Sequence, residues 1–275
     1  MDYTIKVRPN KAVNLTKVEP RQDGGLDKSD GKALLRTLGE ELSELQELLY
    51  AAETHALLLI LQGTDTSGKD GTIRHVFAEV NPLGVRGVSF KVPTALELSH
   101  DFLWRVHRET PRKGMITVFN RSHYEDVVVV RVNNLVDEET WRRRYDDINA
   151  FERLLVQSGT IVVKCFLHIS AGEQEERLRA REEDVTKAWK LSAGDWVERR
   201  SWNAYQQAYQ DALNACSNKE VPWHIVPADR KWFRNVAVAQ LLVETLRPYK
   251  DGWLAELNRR GKEEIAAIKN IRPPQ

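Results

Sequence analysis

Four stretches of this chain, Ala56–Leu61, Met115–Phe119, Ile161–Ile169 and Trp223–Val226, are short and apolar almost without a break. A strand with one wet face alternates apolar and polar residues. A continuous run buries both faces, as the strands of a parallel sheet do. Between the runs lie helical patterns at Glu138–Gln157 and Ser201–Ala215, with a last helix from about Trp232 to Leu246. Ahead of them, Leu34, Leu35, Leu38, Leu42, Leu45, Leu48 and Leu49 keep helical spacing up to about Ala52. The alternation predicts an α/β fold, a parallel β-sheet covered by helices on both faces. A chain of 275 residues holds one such domain with a full core. Val127–Val132 has strong β propensity, yet it follows a helix-start pattern with Ser122 as N-cap and Glu125 three positions on. On the residues alone, both readings stand.

Residues 1–30 read as an N-terminal arm, polar and aperiodic, with Pro9, Pro20 and the turn signal Asp23-Gly24-Gly25. Residues 31–247 form the predicted domain, and 248–275 a C-terminal helix and tail. Cys165 and Cys216 lack metal-ligand spacing; Cys165, inside an apolar run, suits a buried thiol, and the absence of a disulfide framework fits a reducing cytoplasm. Met1–Asn10 has no apolar stretch of the signal-peptide kind, and no apolar run is long enough to cross a bilayer. Lys plus Arg number 41 and Asp plus Glu 40, a net charge of +1. Any polyanion must therefore meet basic residues gathered in one groove, because the global charge offers no steering.

The strongest local signal is Gly63-Thr64-Asp65-Thr66-Ser67-Gly68-Lys69, a G-x-x-x-x-G-K pattern directly after the first apolar run and before a helical segment. Its glycines let backbone N–H groups converge on a phosphate, the helix adds its positive end, and Lys69 adds a full charge. The predicted phosphate contacts are Gly63, Thr66, Ser67, Gly68, Lys69, Asp70 and Gly71. The usual loop continues with a metal-binding Ser or Thr, but here Asp70 and Gly71 follow. A carboxylate inside the cradle repels phosphate unless a cation lies between them, so Asp65 is the expected Mg²⁺ ligand.

Asn120-Arg121-Ser122-His123-Tyr124-Glu125-Asp126 follows the second apolar run. Asp126 is the expected second metal contact and Glu125 the alternate, against a reading of both as exposed helix-start acids. Arg121 is placed to meet a phosphate. His123 either does the same or is a surface histidine. After the third run, Ser170 and Glu173 form a helix-start box, and Arg177 and Arg181 share one helical face. Beside a phosphate loop this charged segment, with Lys187 beyond it, reads as a lid whose guanidinium groups neutralise transferring phosphates. Trp202 and Trp232 read as core.

Five ordered motifs make the chain resemble the polyphosphate kinase 2 family: GTDTSGKDG from Gly63, PTALELSHDFLWRVHRETPRKG from Pro93, FNRSHYEDV from Phe119, FLHISAGEQEERLRAR from Phe166 and VPWHIVPADRKWFRN from Val221. The resemblance spans about Gly31 to Leu246. It implies a thymidylate-kinase-like P-loop kinase fold with a helical lid at about 171–200. It also implies Mg²⁺-dependent transfer between inorganic polyphosphate and nucleoside mono- or diphosphates. Asp65, Lys69, Arg121, Asp126, Arg177 and Arg181 are then the expected catalytic residues, and Val127–Val132 a helix. The chain is most similar to the branch acting on both AMP and ADP. A homo-oligomer is expected, with neither nucleic acid nor membrane as partner. The rival readings are an ATP-dependent nucleotide or metabolite kinase of the same fold, and a non-catalytic polyanion- or nucleotide-binding module.

Overall fold

The computed structural model describes residues 2–9, 11–183 and 193–271. Strand β1 (Ile5–Lys6) precedes helix α1 (Lys28–Ala52), β2 (Ala56–Gln62) and α2 (Lys69–Val76). Next come β3 (Val85–Ser89), the short helices α3 (Ala95–Leu98) and α4 (Trp104–His107), β4 (Ile116–Asn120), α5 (Glu125–Val132) and α6 (Glu138–Gln157). The second half holds β5 (Thr160–His168), α7 (Ala171–Glu182), α8 (Ala193–Arg200), α9 (Trp202–Ala215), β6 (Trp223–Pro227), α10 (Lys231–Leu246) and α11 (Lys250–Ile271).

The six strands form one sheet in the order β1-β6-β5-β2-β4-β3. All pairings are parallel except β1 with β6, where Ile5 lies opposite Ile225. The arm expected before residue 30 thus adds an antiparallel edge, and its Val7 and Leu15 are buried. β3 was not foreseen either. Its sequence VRGVS contains a glycine and lies half-exposed on the other edge, so it lacks a continuous apolar run.

β2 shows why the central runs are apolar at every position. Leu57, Leu59 and Leu61 pack into one core with residues of α1, α2 and α10. Leu58 and Ile60 enter a second core with residues of α5, α6 and α9. Both faces of the sheet are covered. The Val127–Val132 segment is helical because Val127 and Val128 are buried in that second core, where tertiary packing overrides β propensity. The helix begins at Glu125, later than the sequence suggested. Ser122 is not its N-cap; its hydroxyl accepts from Tyr124 N at 3.2 Å and from Gln62 Nε2 at 3.1 Å.

The second core contains a buried ionic cluster. Lys164 Nζ on β5 donates to Glu152 Oε2 at 2.6 Å, to the Cys216 carbonyl at 2.6 Å and to the Tyr124 hydroxyl at 3.1 Å. Tyr124 donates to Glu152 Oε1 at 2.8 Å, and His123 Nε2 lies 3.4 Å from the same oxygen. Burial alone would raise Glu152, but Lys164 and His123 hold it below the ordinary carboxylate range. Removing one partner of a buried pair strands the other charge. Glu152→Leu is expected to cost about 3–5 kcal/mol in urea denaturation, and the double variant Glu152→Leu/Lys164→Met to recover much of that loss. A single variant of wild-type stability would show that the cluster contributes nothing.

Candidate active site

The loop between β2 and α2 is shaped by backbone conformation. Gly63 and Gly68 have φ of 152° and 97°, and Thr66 takes the left-handed region at 65°. A Cβ on Gly63 would lie 2.7 Å from the Leu167 carbonyl oxygen. A Cβ on Gly68 would overlap the Arg234 guanidinium. The Thr64, Thr66 and Ser67 hydroxyls are buried without a protein partner, an arrangement that folding tolerates where a ligand supplies the acceptor. Lys69 Nζ folds back on the loop, donating to the Gly63 carbonyl at 2.8 Å and the Thr64 carbonyl at 3.2 Å. Burial, with Arg121 nearby, brings Lys69 down to about 8.

Arg121, directly after β4, takes a left-handed conformation, φ 63°, and donates its backbone N–H to Leu61 O at 3.1 Å. Its guanidinium joins two carboxylates, Asp65 of the loop and, at 2.9 Å, Glu125 of α5. Burial works against the charge, but these two acids keep Arg121 firmly protonated. Arg121 and Lys69 in turn hold Asp65 below its usual range despite its burial. Asn120 donates to Asp70 Oδ1 at 2.6 Å, so the acid that replaces the customary hydroxyl is tethered to the strand end. Asp65, Thr66, Gly68, Lys69, Asp70, Asn120 and Arg121 line a groove of about 330 Å³ together with Gly71, Ser89, Phe90, Lys91 and Arg181, and Glu125 stands behind Arg121 outside this lining.

Several expected residues fall elsewhere. His123 is fully buried against Glu152 and Phe151, so it is neither a surface histidine nor a phosphate contact here. Asp126 does not join Asp65. It is clamped by Arg105 at 3.5 Å and Arg144 at 3.8 Å, and burial raises its pKa despite both arginines. Glu125, the alternate, is the acid that shares Arg121 with Asp65, and its Oε1 is buried without a partner. Arg177 is no mobile lid residue: it is buried and donates to the carbonyls of Thr66, Ser67, Ala228 and Asp229. Arg181 does reach the groove and pairs with Asp195 of α8 at 3.3 Å. Lys187 lies outside the described residues.

Sequence reasoning missed the acids of α8. Burial and a hydrogen bond to Asp65 push Glu198 well above its usual range, and burial with Asp65 nearby raises Asp195. Arg199 fastens this helix to α7 through Ala171 O at 2.8 Å and Glu175 at 2.6 Å. No local pattern marks these positions, because the segment carrying them reads only as charged. Among the described residues no three His, Cys, Asp or Glu side chains stand close enough to cage a metal. Mg²⁺ does not need a cage; it takes one or two carboxylates beside substrate phosphates and water. Asp65 and Glu125, with the latter's unpartnered oxygen, fit that requirement.

A glycine-bent loop between a buried parallel strand and a helix, facing an arginine from the next strand, defines a P-loop kinase. The sequence profile described as Polyphosphate kinase 2 matches residues 25–251, and the chain belongs to that family. An AMP/ADP-polyphosphate phosphotransferase of Meiothermus ruber is 48% identical over 243 residues, covering 88% of this chain and 91% of the relative. An ADP-polyphosphate phosphotransferase of Rhodopseudomonas palustris is 44% identical, covering 90% and 89%. The crystal structure of polyphosphate kinase 2 from Arthrobacter aurescens TC1 superposes with a TM-score of 0.86 at 44% identity, covering 88% of each chain.

The loop geometry gives a direct expectation. Gly68→Ala forces a side chain into a left-handed position and against Arg234, at a cost of about 1–3 kcal/mol. The rise in melting temperature produced by added polyphosphate or ATP should shrink in this variant. An unchanged rise would show that the loop does not need glycine there.

Proposed function

We propose that this chain transfers phosphoryl groups between inorganic polyphosphate and the nucleotides AMP and ADP, with Mg²⁺ held by Asp65 and Glu125. The observation that carries this reading is the groove itself. Three buried loop hydroxyls lack partners, and Lys69, Arg121 and Arg181 line the groove or the loop around them. The names of the two relatives support both the donor and the acceptors. No helix among the described residues is long and apolar enough to cross a membrane.

The chemistry is in-line transfer of a phosphoryl group to a phosphate oxygen of the acceptor. That oxygen is already ionised near neutral pH, so the protein supplies position and charge, with no strong base required. Lys69 exchanges its loop carbonyls for phosphate oxygens. Arg121, fixed by Asp65 and Glu125, faces the transferring group, and Arg181 closes the groove from α7. When bound, Mg²⁺ neutralises phosphate charge and polarises the transferring phosphoryl. Asp126 acts one step back by orienting Arg105 and Arg144.

The donor is tested by incubating the protein with Mg²⁺, polyphosphate and either ADP or AMP, with no nucleoside triphosphate added. ATP should form from ADP, and ADP from AMP. Turnover of AMP with ATP alone, and none with polyphosphate, would instead identify an ATP-dependent kinase.

The metal assignment has its own test. Asp65→Asn should lower the rate by orders of magnitude, the scale of removing a charge that acts on a phosphoryl transition state. Glu125→Gln should raise the Mg²⁺ concentration needed for half-maximal rate. Asp126→Asn should lower the rate with its Mg²⁺ dependence little changed. The reverse pattern between these neighbours would return the metal to Asp126.

A further inference from the structure

Two guanidinium groups meet beneath the phosphate loop, and neither lines the groove. Arg177 reaches the loop from α7 and Arg234 from α10; both are buried. They share one acceptor, the Ser67 carbonyl, each at 3.2 Å. A trans peptide is planar, so its C=O and N–H point in opposite directions. Holding Ser67 O toward the arginines therefore turns the Gly68 N–H toward the groove that Gly68 lines. The missing side chain of Gly68 is what lets Arg234 come so close.

The two arginines differ in charge balance. Arg177 has a carboxylate, Glu173, at 2.7 Å. Among the described residues Arg234 has only neutral acceptors, Ser67 O and Asn235 Oδ1, the latter at 2.9 and 3.2 Å. Among the described residues no carboxylate pairs with it. Burial, together with Arg177, lowers its pKa to about 9, so the fold carries this charge at a cost. A buried charge without a counter-ion is rare in a stable domain.

We propose that Arg234 is a positioning residue for phosphate binding, fixing the Ser67–Gly68 peptide toward the groove with a charge that is balanced only when a phosphate chain occupies the loop. This rests on reading the groove as the polyphosphate site. Anion binding and Arg234 are then thermodynamically linked, and each stabilises the other.

The test compares wild type with Arg234→Met and Arg234→Lys. Melting temperatures are measured with and without polyphosphate plus Mg²⁺, and KM is measured separately for polyphosphate and for ADP. In Arg234→Met the polyphosphate-induced rise in Tm should shrink and KM for polyphosphate should increase about tenfold, the loss of one charge-assisted contact. KM for ADP should stay within about twofold, since no nucleotide contact is removed. Arg234→Lys, which keeps the charge and loses the planar fork, should fall between the two. If Arg234→Met does not fold, a Lys variant with wild-type polyphosphate KM and Tm response overturns the proposal, as would a folded Met variant with both unchanged. A merely structural role would lower Tm equally with and without polyphosphate, and that result also overturns it. A wild type that responds to ATP plus Mg²⁺ but not to polyphosphate sinks the donor assignment. The same variants then test Arg234 on ATP, where a Tm response equal to wild type counts against it.

Discussion

The site depends on one guanidinium group. Arg121 directly follows β4, and its charge joins the loop acid Asp65 to the α5 acid Glu125. Three separately folded pieces, the loop, the strand end and the helix start, are thereby held in one register. The left-handed backbone at Arg121 is the local cost of the turn that leaves β4 and brings its side chain to Asp65 and Glu125. Because each acid is anchored by the arginine, neither is free to collapse onto Lys69, which stays on its own loop carbonyls. The arginine also lets two carboxylates stand beside a phosphate cradle without emptying it of positive charge.

The near-neutral composition makes the placement of charge decisive. With a net charge of +1 over the whole chain, attraction for a polyanion must be local. The groove achieves this with Lys69, Lys91, Arg121 and Arg181, while Arg177 and Arg234 add a second layer beneath the loop. In the second core, by contrast, the charge of Lys164 is cancelled at short range by Glu152.

The four central strands and the loop were legible because burial on both faces and a glycine-bent turn leave marks in local sequence. The edge strands were not. β1 has two residues and VRGVS of β3 is half-exposed, so neither shows a pattern above background. Spacing correctly put Arg177 and Arg181 on one helical face. It did not show that the residue one turn nearer the sheet would be swallowed by backbone carbonyls while the other reached the groove. His123 failed for a related reason: a histidine beside Arg121 reads as a polar loop residue until Glu152 and Lys164 arrive from distant elements. The preference for Asp126 over its neighbour rested on position alone; in the fold Asp126 meets Arg105 and Arg144, while Glu125 meets Arg121. Side-chain destination is a tertiary property, whereas periodicity reports only which face is apolar.

The antiparallel pairing of β1 with β6 joins residues very far apart in the chain: the Thr4 hydroxyl lies 3.0 Å from His224 Nδ1, 220 positions away. During synthesis the β1 segment must wait unpaired until β6, which lies far along the chain, has followed it. Helices and the β2-β4 pair can form meanwhile from nearer contacts. Closure of that edge is thus a late event in the birth of the protein. It also seals the one flank of β6 that would otherwise offer unpaired backbone to a neighbouring nascent chain.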